Sequence, residues 1–316
     1  MKTLSLFKLF IREIGGNIFK LFRKIAKKSK NLKNINAKKG TPYFVSKNRE
    51  KLFGDDAIGA LKVQNDSKYY NPEKGVVAID KSRWLDAQQA EKNVWLRDFK
   101  NLNSDANQLK RSNFDDYEFI KGMNFTNAIE LGCGPFTNLR YIMKLITSKN
   151  IHLLDPLLNN YLKKDNCAYQ KVEGGGMLTL GENNFLNYIF GKKLFVKLHS
   201  CPIEEFNVNE KFDLIVMIDV LEHCYDFKTI MDKILKLSDK NTYFVFQDKF
   251  FNIDDISLEV QTKYDAAHPL RIRKELLLDF LGENFTTLLS KVKYFKSSRG
   301  ERDLSHYCLY YIGYKK

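Results

Sequence analysis

The chain has 316 residues, of which 44% are hydrophobic and 13% aromatic, and a net charge of +14. That length and apolar content allow one large domain or two small ones and exclude a wholly disordered chain. Five cysteines, with no C-x-x-C pair among them, indicate neither a disulfide framework nor a zinc site, and fit reduced cysteines in a cytoplasmic protein.

The charge is unevenly placed. Residues 1–40 hold twelve lysines and arginines and one acid, so the other 276 residues carry only +3. In this tail Leu4, Phe7, Phe10, Ile11, Ile14, Ile18, Leu21, Phe22 and Ile25 recur at helical steps. The spacing predicts a basic amphipathic helix, weakened at Gly15-Gly16. Its longest apolar run is three residues, which fits neither a membrane span nor a signal peptide. Such a helix suits an anionic membrane surface through residues 1–30, on the inner face of the membrane. Docking on the chain's own body or on a partner is the alternative.

Residues 41–75 read as a linker. Residues 76–120 read as a helical lid, built on the helix-like stretch SRWLDAQQAEKNVWLRDF (82–99). Asp80 or Ser82 is placed to cap it, and Trp84, Val94, Trp95 and Phe99 to pack inward.

From residue 121 to 316, strand-like and helix-like segments alternate. TNAIEL, NIHLLDP, KLFVKLHS, FDLIVMIDV and NTYFVFQDKF read as strands; NLRYIMKLIT, DFKTIMDKILKLS and RKELLLDFL read as helices. FTTLLSKVKYF and SHYCLYYIGY close the chain as an antiparallel pair. The pattern predicts an α/β fold with a doubly wound, mostly parallel sheet. The stretch 156–193, with its run VEGGGMLTLG, is too long for a simple crossover and reads as a loop or flap.

The first strand hands over to a helix through AIELGCGPFTNLR (128–140). Gly132 and Gly134 there let backbone approach a ligand, and ligands of open α/β sheets lie at the carboxyl ends of the strands. About 20 residues later, the next strand ends in Asp155, the position of an acid that binds ribose hydroxyls. The third glycine of a dinucleotide loop is absent, so no pyrophosphate is implied. Glu130, just before the turn, suits an ammonium group. Strand, glycine turn, helix, strand and acid together spell a site for an adenosine-containing cofactor bearing a positive amine.

ELGCGP, the later LLDP and FDLIVMIDVLEH, in that order, resemble the class I S-adenosylmethionine-dependent methyltransferases, in the group whose fourth strand runs into D-V-L-E-H. The resemblance covers residues 120–316. It implies a Rossmann-like seven-stranded sheet of order 3-2-1-4-5-7-6, here with an N-terminal helical extension, and S-adenosyl-L-methionine as cofactor. It implies that Glu130 holds the methionyl amine, that Gly132, Cys133 and Gly134 lie against the methionyl and ribose portion, and that Asp155 takes both ribose hydroxyls. Ile203 and Glu204 would border the adenine, and Asp219 and Val220 the methionyl side. The sequence departs from the family in a bulkier glycine loop, with Phe136 or Thr137 at the usual third small position, and in SDKN at the turn before the fifth strand.

Methyl transfer from a sulfonium is an in-line displacement, and a hydroxyl acceptor must also lose its proton. His223, directly after the fourth strand, and His268, beyond the fifth, are the candidate catalytic residues. His152 and His199 read as structural, and His306 is uninformative. Glu222, Arg271 and Arg273 are candidate substrate contacts, the arginines for an anionic group. No spacing indicates a metal, although Asp219, Glu222 and Asp248 can meet in space.

The expected function is methylation, at oxygen, of a sugar or other small or lipid-linked acceptor of the cell envelope, in the cytoplasm or at the membrane's inner face. RNA methylation is the alternative suggested by net charge. It is opposed by the confinement of that charge to the tail and by the absence of an N-P-P-[Y/F] motif. A non-catalytic methyltransferase-like adaptor at a membrane is the third reading.

Overall fold

The computed structural model describes residues 56–97, 114–135, 137–163, 185–189, 192–262, 264–294 and 307–316. The tail expected over 1–40, the VEGGGMLTLG run, Phe99, Phe136 and His306 lie outside the described residues. The chain divides into one unit ending at Asn65 and a second from Asp66 to Lys316. Helix α1 (Asp56–Ser67) begins in the first, within the segment read as linker.

The second unit is built on an eight-stranded sheet. Its strands are β2 (Asn124–Leu131), β3 (Thr147–Leu154), β4 (Phe185–Ile189), β5 (Lys192–His199), β6 (Phe212–Ile218), β7 (Ser238–Lys249), β9 (Phe285–Tyr294) and β10 (Tyr307–Lys315), with β1 (Gly75–Val76) and β8 (Arg271–Ile272) forming a separate two-stranded sheet. The order is β4-β5-β3-β2-β6-β7-β10-β9. Strands β5, β3, β2, β6 and β7 run parallel, while β10 is antiparallel to both β7 and β9. Without β4 this is the expected order of seven. The eighth strand corrects the reading of 156–193 as loop or flap, because Phe185–Ile189 pairs antiparallel on the outer edge of β5.

The uniformly apolar run of β6 follows from burial on both faces. Leu214, Val216 and Ile218 enter one core with Ile151 and Val245; Ile215 and Met217 enter the other with Ile129, Leu131 and Phe244. Helix α5 (Phe227–Leu237) follows β6. The Asp226 carboxylate caps it by accepting from the Thr229 N–H at 2.9 Å, and Ile230, Met231, Ile234 and Leu237 form its buried face.

Other elements differ from expectation. The helix read into NLRYIMKLIT is only α3 (Leu139–Ile142), because Thr147 already belongs to β3. Its apolar spacing was real: Leu139, Ile142, Met143 and Ile146 are all buried. The SDKN turn opens β7, with Asn241 at φ 68°. An additional helix, α6 (Ile253–Thr262), follows β7, and α7 (Lys274–Asn284) follows β8. The lid helix is α2 (Lys81–Arg97), and α4 (Leu158–Tyr161) is a single turn after β3. Trp84 of α2 is buried as expected, but Val94 is 45% exposed and does not pack inward. No described helix is long and apolar enough to cross a membrane.

Candidate functional site

A cleft of roughly 800 Å³, part of it open to solvent, lies at the carboxyl ends of β2, β3 and β6. Its floor is the glycine loop. The Gly132 and Cys133 N–H groups both donate to the Leu154 carbonyl, at 2.8 and 3.0 Å, which ties the loop to the end of β3. Gly132 has φ 73° and Gly134 φ 54°, the left-handed region that favours glycine. A Cβ at Gly132 would strike the Val220 side chain at 2.4 Å, whereas one at Gly134 would meet nothing within 4 Å. Gly134 therefore presents bare backbone to the cleft, the surface on which a ligand can lie closely.

Asp155 lines the same side. Its carboxylate accepts from the Gly134 N–H (2.9 Å) and the Leu157 N–H (2.8 Å). Burial nevertheless pushes it up to about 6. Ile203 and Glu204, in a 3₁₀ turn after β5, close the next wall. Glu204 Oε1 accepts from the Tyr225 and Asp226 N–H groups at 2.8 and 3.2 Å, and burial raises this acid too.

Glu130 departs from its expected place. It is fully buried under the loop, accepting from the Thr137 hydroxyl, from the Asn138 N–H (2.9 Å) and side-chain amide (3.0 Å), and from the Leu139 N–H (3.2 Å). It does not line the cleft. With both oxygens committed to the start of α3, it holds the loop's shape, and its burial raises its pKa.

The opposite wall comes from α2 and the segment after β6. Trp84, Gln88, Glu91 and Trp95 all line the cleft. Their steps of four, three and four put them on one helical face. The helical spacing in the sequence puts Gln88 and Glu91 on the face of the tryptophans, but only the docking of α2 turns that face to the cleft. The Trp84 indole and the Gln88 amide both donate to the His223 carbonyl, at 3.1 and 3.2 Å. Asp219, at the end of β6, faces the cleft with φ 58°, a strained conformation for a non-glycine residue. Val220 also lines the cleft and packs over Gly132.

His223 and His268 meet ring to ring, with centroids 4.5 Å apart. His223 lines the cleft and His268 stands behind it. His268 Nδ1 is 2.9 Å from Asp265 Oδ1, and its Nε2 lies 3.6 Å from Glu222 Oε1. Burial alone would lower this imidazole, yet the Glu222 and Asp265 carboxylates lift it to about 9. Burial likewise opposes ionisation of Glu222, but His268, Lys249 and His223 hold that carboxyl down at about 2.

Three expected substrate contacts lie elsewhere. Glu222 is buried and bonded to the Lys249 ammonium rather than facing the cleft. Arg271 is buried in the β1–β8 ribbon. Arg273, ahead of α7, donates to Glu275 Oε2 at 2.6 Å and to the Glu73 carbonyl at 3.0 Å. Asp219, Glu222 and Asp248 do converge. Asp248, however, is occupied by the N–H groups of Val220, Leu221 and Lys249, at 2.9, 2.5 and 2.7 Å. Burial drives its pKa well up. His152 and His199 pack together, 3.2 Å between ring nitrogens, against Phe212 and Phe206.

Residues 78–288 match the family described as a methyltransferase domain. A comparison with curated proteins yields no match. Among solved structures, the chain is similar to the N-methyltransferase NodS of Bradyrhizobium japonicum WM9 in complex with S-adenosyl-L-homocysteine (15% identity, 61% of this chain and 79% of that one, TM-score 0.42). It is also similar to the Burkholderia thailandensis 1,6-didemethyltoxoflavin-N1-methyltransferase (12% identity, 78% and 98% covered, TM-score 0.43). A third is TehB from Haemophilus influenzae (14% identity, 64% and 61% covered, TM-score 0.42). The family match runs unbroken from the start of the lid helix through the glycine loop, Asp155 and His268, and by it the chain belongs to the class I S-adenosylmethionine-dependent methyltransferases.

Proposed function

We propose that this methyltransferase transfers a methyl group to a hydroxyl of a sugar or another small or lipid-linked acceptor of the cell envelope. The observation that carries the proposal is the division of the cleft into two unlike walls. One wall offers bare glycine backbone, Asp155, Ile203 and Glu204; the other offers Trp84, Gln88, Glu91, Trp95 and His223.

S-adenosylmethionine supplies, when bound, an activated methyl group and its own leaving group. The chain's residues do the rest. Gly132, Cys133 and Gly134 lie along the methionyl and ribose portion, Asp155 accepts from the ribose hydroxyls, and Ile203 and Glu204 border the adenine. Asp219 and Val220 flank the methionyl side, and Glu130 shapes the loop from below.

On the facing wall, indole N–H, amide, carboxylate and imidazole groups suit an acceptor with several hydroxyls. His223 is the residue placed beside the acceptor oxygen, with His268 behind it. The envelope assignment and attachment to the inner membrane face rest on the basic amphipathic pattern of residues 1–30. Little positive charge outside that tail supports an RNA substrate.

Isothermal titration of S-adenosylmethionine into the parent and Asp155→Ala tests the cofactor site. The parent binds and the variant binds at least tenfold more weakly. Labelled cofactor, supplied with envelope glycans, lipid-linked sugars and RNA, then tests the acceptor. Methylation of RNA alone would overturn the glycan reading.

A further inference from the structure

We infer that Glu91, His223 and His268 form a divalent-cation site on the acceptor wall, with a donor set suited to zinc. Its part in catalysis rests on the proposed transfer to a hydroxyl; its existence does not.

The three residues come from separate parts of the chain: α2, the 3₁₀ turn Leu221–His223, and the segment before β8. One ligand atom from each lies within 4.8 Å of the others. Each side chain is also held from behind. The Trp95 indole donates to Glu91 Oε2 at 2.7 Å, His223 Nδ1 meets the Ala267 carbonyl at 3.1 Å, and His268 Nδ1 meets Asp265 Oδ1 at 2.9 Å. A partner oxygen on one ring nitrogen fixes the tautomer and offers the other nitrogen to a metal.

Glu91 Oε1 is 3.5 Å from His223 Nδ1, and the two Nε2 atoms are 3.8 and 3.6 Å from Glu222 Oε1. These spacings are too long for good hydrogen bonds, so Glu222 does not tie up either Nε2. Glu222 itself is paired with the Lys249 ammonium.

Two imidazoles and a carboxylate favour zinc over magnesium or calcium, which prefer all-oxygen sites. Three protein ligands leave a fourth position open, as in catalytic zinc sites. Glu91 and His223 line the cleft, so that position faces the acceptor. A hydroxyl oxygen held there loses its proton to water more readily. The new O–C bond then forms as the methyl–sulfur bond breaks.

The test is titration of zinc chloride into the full chain after treatment with chelator, with cobalt(II) absorption as a report on ligand geometry. S-adenosylmethionine is titrated into the same preparations, and circular dichroism confirms that each variant is folded. The parent binds one zinc, and the cobalt form shows four-coordinate bands. Glu91→Gln and His268→Gln each weaken zinc at least tenfold, and Asp265→Asn weakens it about tenfold through the His268 ring. Cys201→Ser binds as the parent does. A folded parent without stoichiometric zinc, undiminished binding in Glu91→Gln and His268→Gln, or loss of binding in Cys201→Ser would overturn the site. Zinc binding without S-adenosylmethionine binding upholds the site and sinks the proposed function. Cofactor binding without zinc overturns the site alone.

Discussion

Val220 closes over Gly132 so tightly that a Cβ at residue 132 would lie 2.4 Å from both Val220 methyl carbons. Gly132 also sits at φ 73°, so two separate physical reasons keep it glycine. Gly132→Ala meets a left-handed strain of roughly 1–2 kcal/mol and an overpacking cost of roughly 1–3 kcal/mol. Val220→Ala in the same chain relieves the second cost and leaves the first. Urea unfolding of the single and double variants therefore separates them: partial recovery is expected. Full recovery would mean that the backbone conformation is cheap here.

Much of this arrangement was legible in the sequence. A strand buried on both faces reads as an apolar run, and a glycine turn followed by a spaced acid reads as a ligand site; β6, Gly132, Gly134 and Asp155 are where those rules put them. The failures have a common physical origin. Arg271 and Arg273 look like surface cations, yet β8 pairs with β1, nearly 200 positions earlier, and buries Arg271. Glu130 reads in the sequence as a partner for a ligand amine, while Thr137 and Asn138, seven and eight residues on, supply the donors it uses. Glu91 joined the site through the docking of α2, which local spacing cannot reveal.

Asp155 makes stability depend on pH and, in its proposed role, cofactor binding as well. Its pKa is raised by burial from 3.8 to about 6, so the folded chain holds this proton more tightly than the unfolded chain does. This group's contribution to stability is full below pH 4. It falls as pH rises through 6, by about 3 kcal/mol in all. With Asp155 in its proposed ribose-binding role, cofactor binding runs the other way, because an ionised carboxylate is the better acceptor for ribose hydroxyls. Affinity for S-adenosylmethionine drops about tenfold per pH unit below 6 and is flat in Asp155→Asn. Calorimetry at pH 5, 6 and 7 checks this; a flat profile in the parent would remove Asp155 from the ribose site.

The His223 carbonyl receives two N–H groups from α2, those of Trp84 and Gln88. Either donor alone keeps the carbonyl satisfied. Trp84→Phe and Gln88→Leu each cost about 1 kcal/mol in urea unfolding, while the double variant strands the carbonyl and loses up to about 3 kcal/mol. Additive losses would show that water replaces the missing donors.

Arg83, also on α2, fixes the helix to the segment that carries His268. Its Nε and Nη2 reach the buried Asp66 carboxylate at 2.8 and 3.1 Å, and its Nη1 and Nη2 donate to the Ala266 and Asp265 carbonyls at 2.9 and 2.6 Å. The guanidinium also lies over the Tyr264 ring, 4.8 Å from its centre. Arg83→Met removes the partner of a buried carboxylate, which costs roughly 3–5 kcal/mol. Most of that loss is the uncompensated charge of Asp66, so Arg83→Met combined with Asp66→Leu recovers a large part of the stability. It does not restore the two carbonyl bonds, and hydrogen exchange in residues 264–268 remains faster than in the parent. A double variant no more stable than Arg83→Met would place the stabilisation in those carbonyl bonds and the ring contact instead.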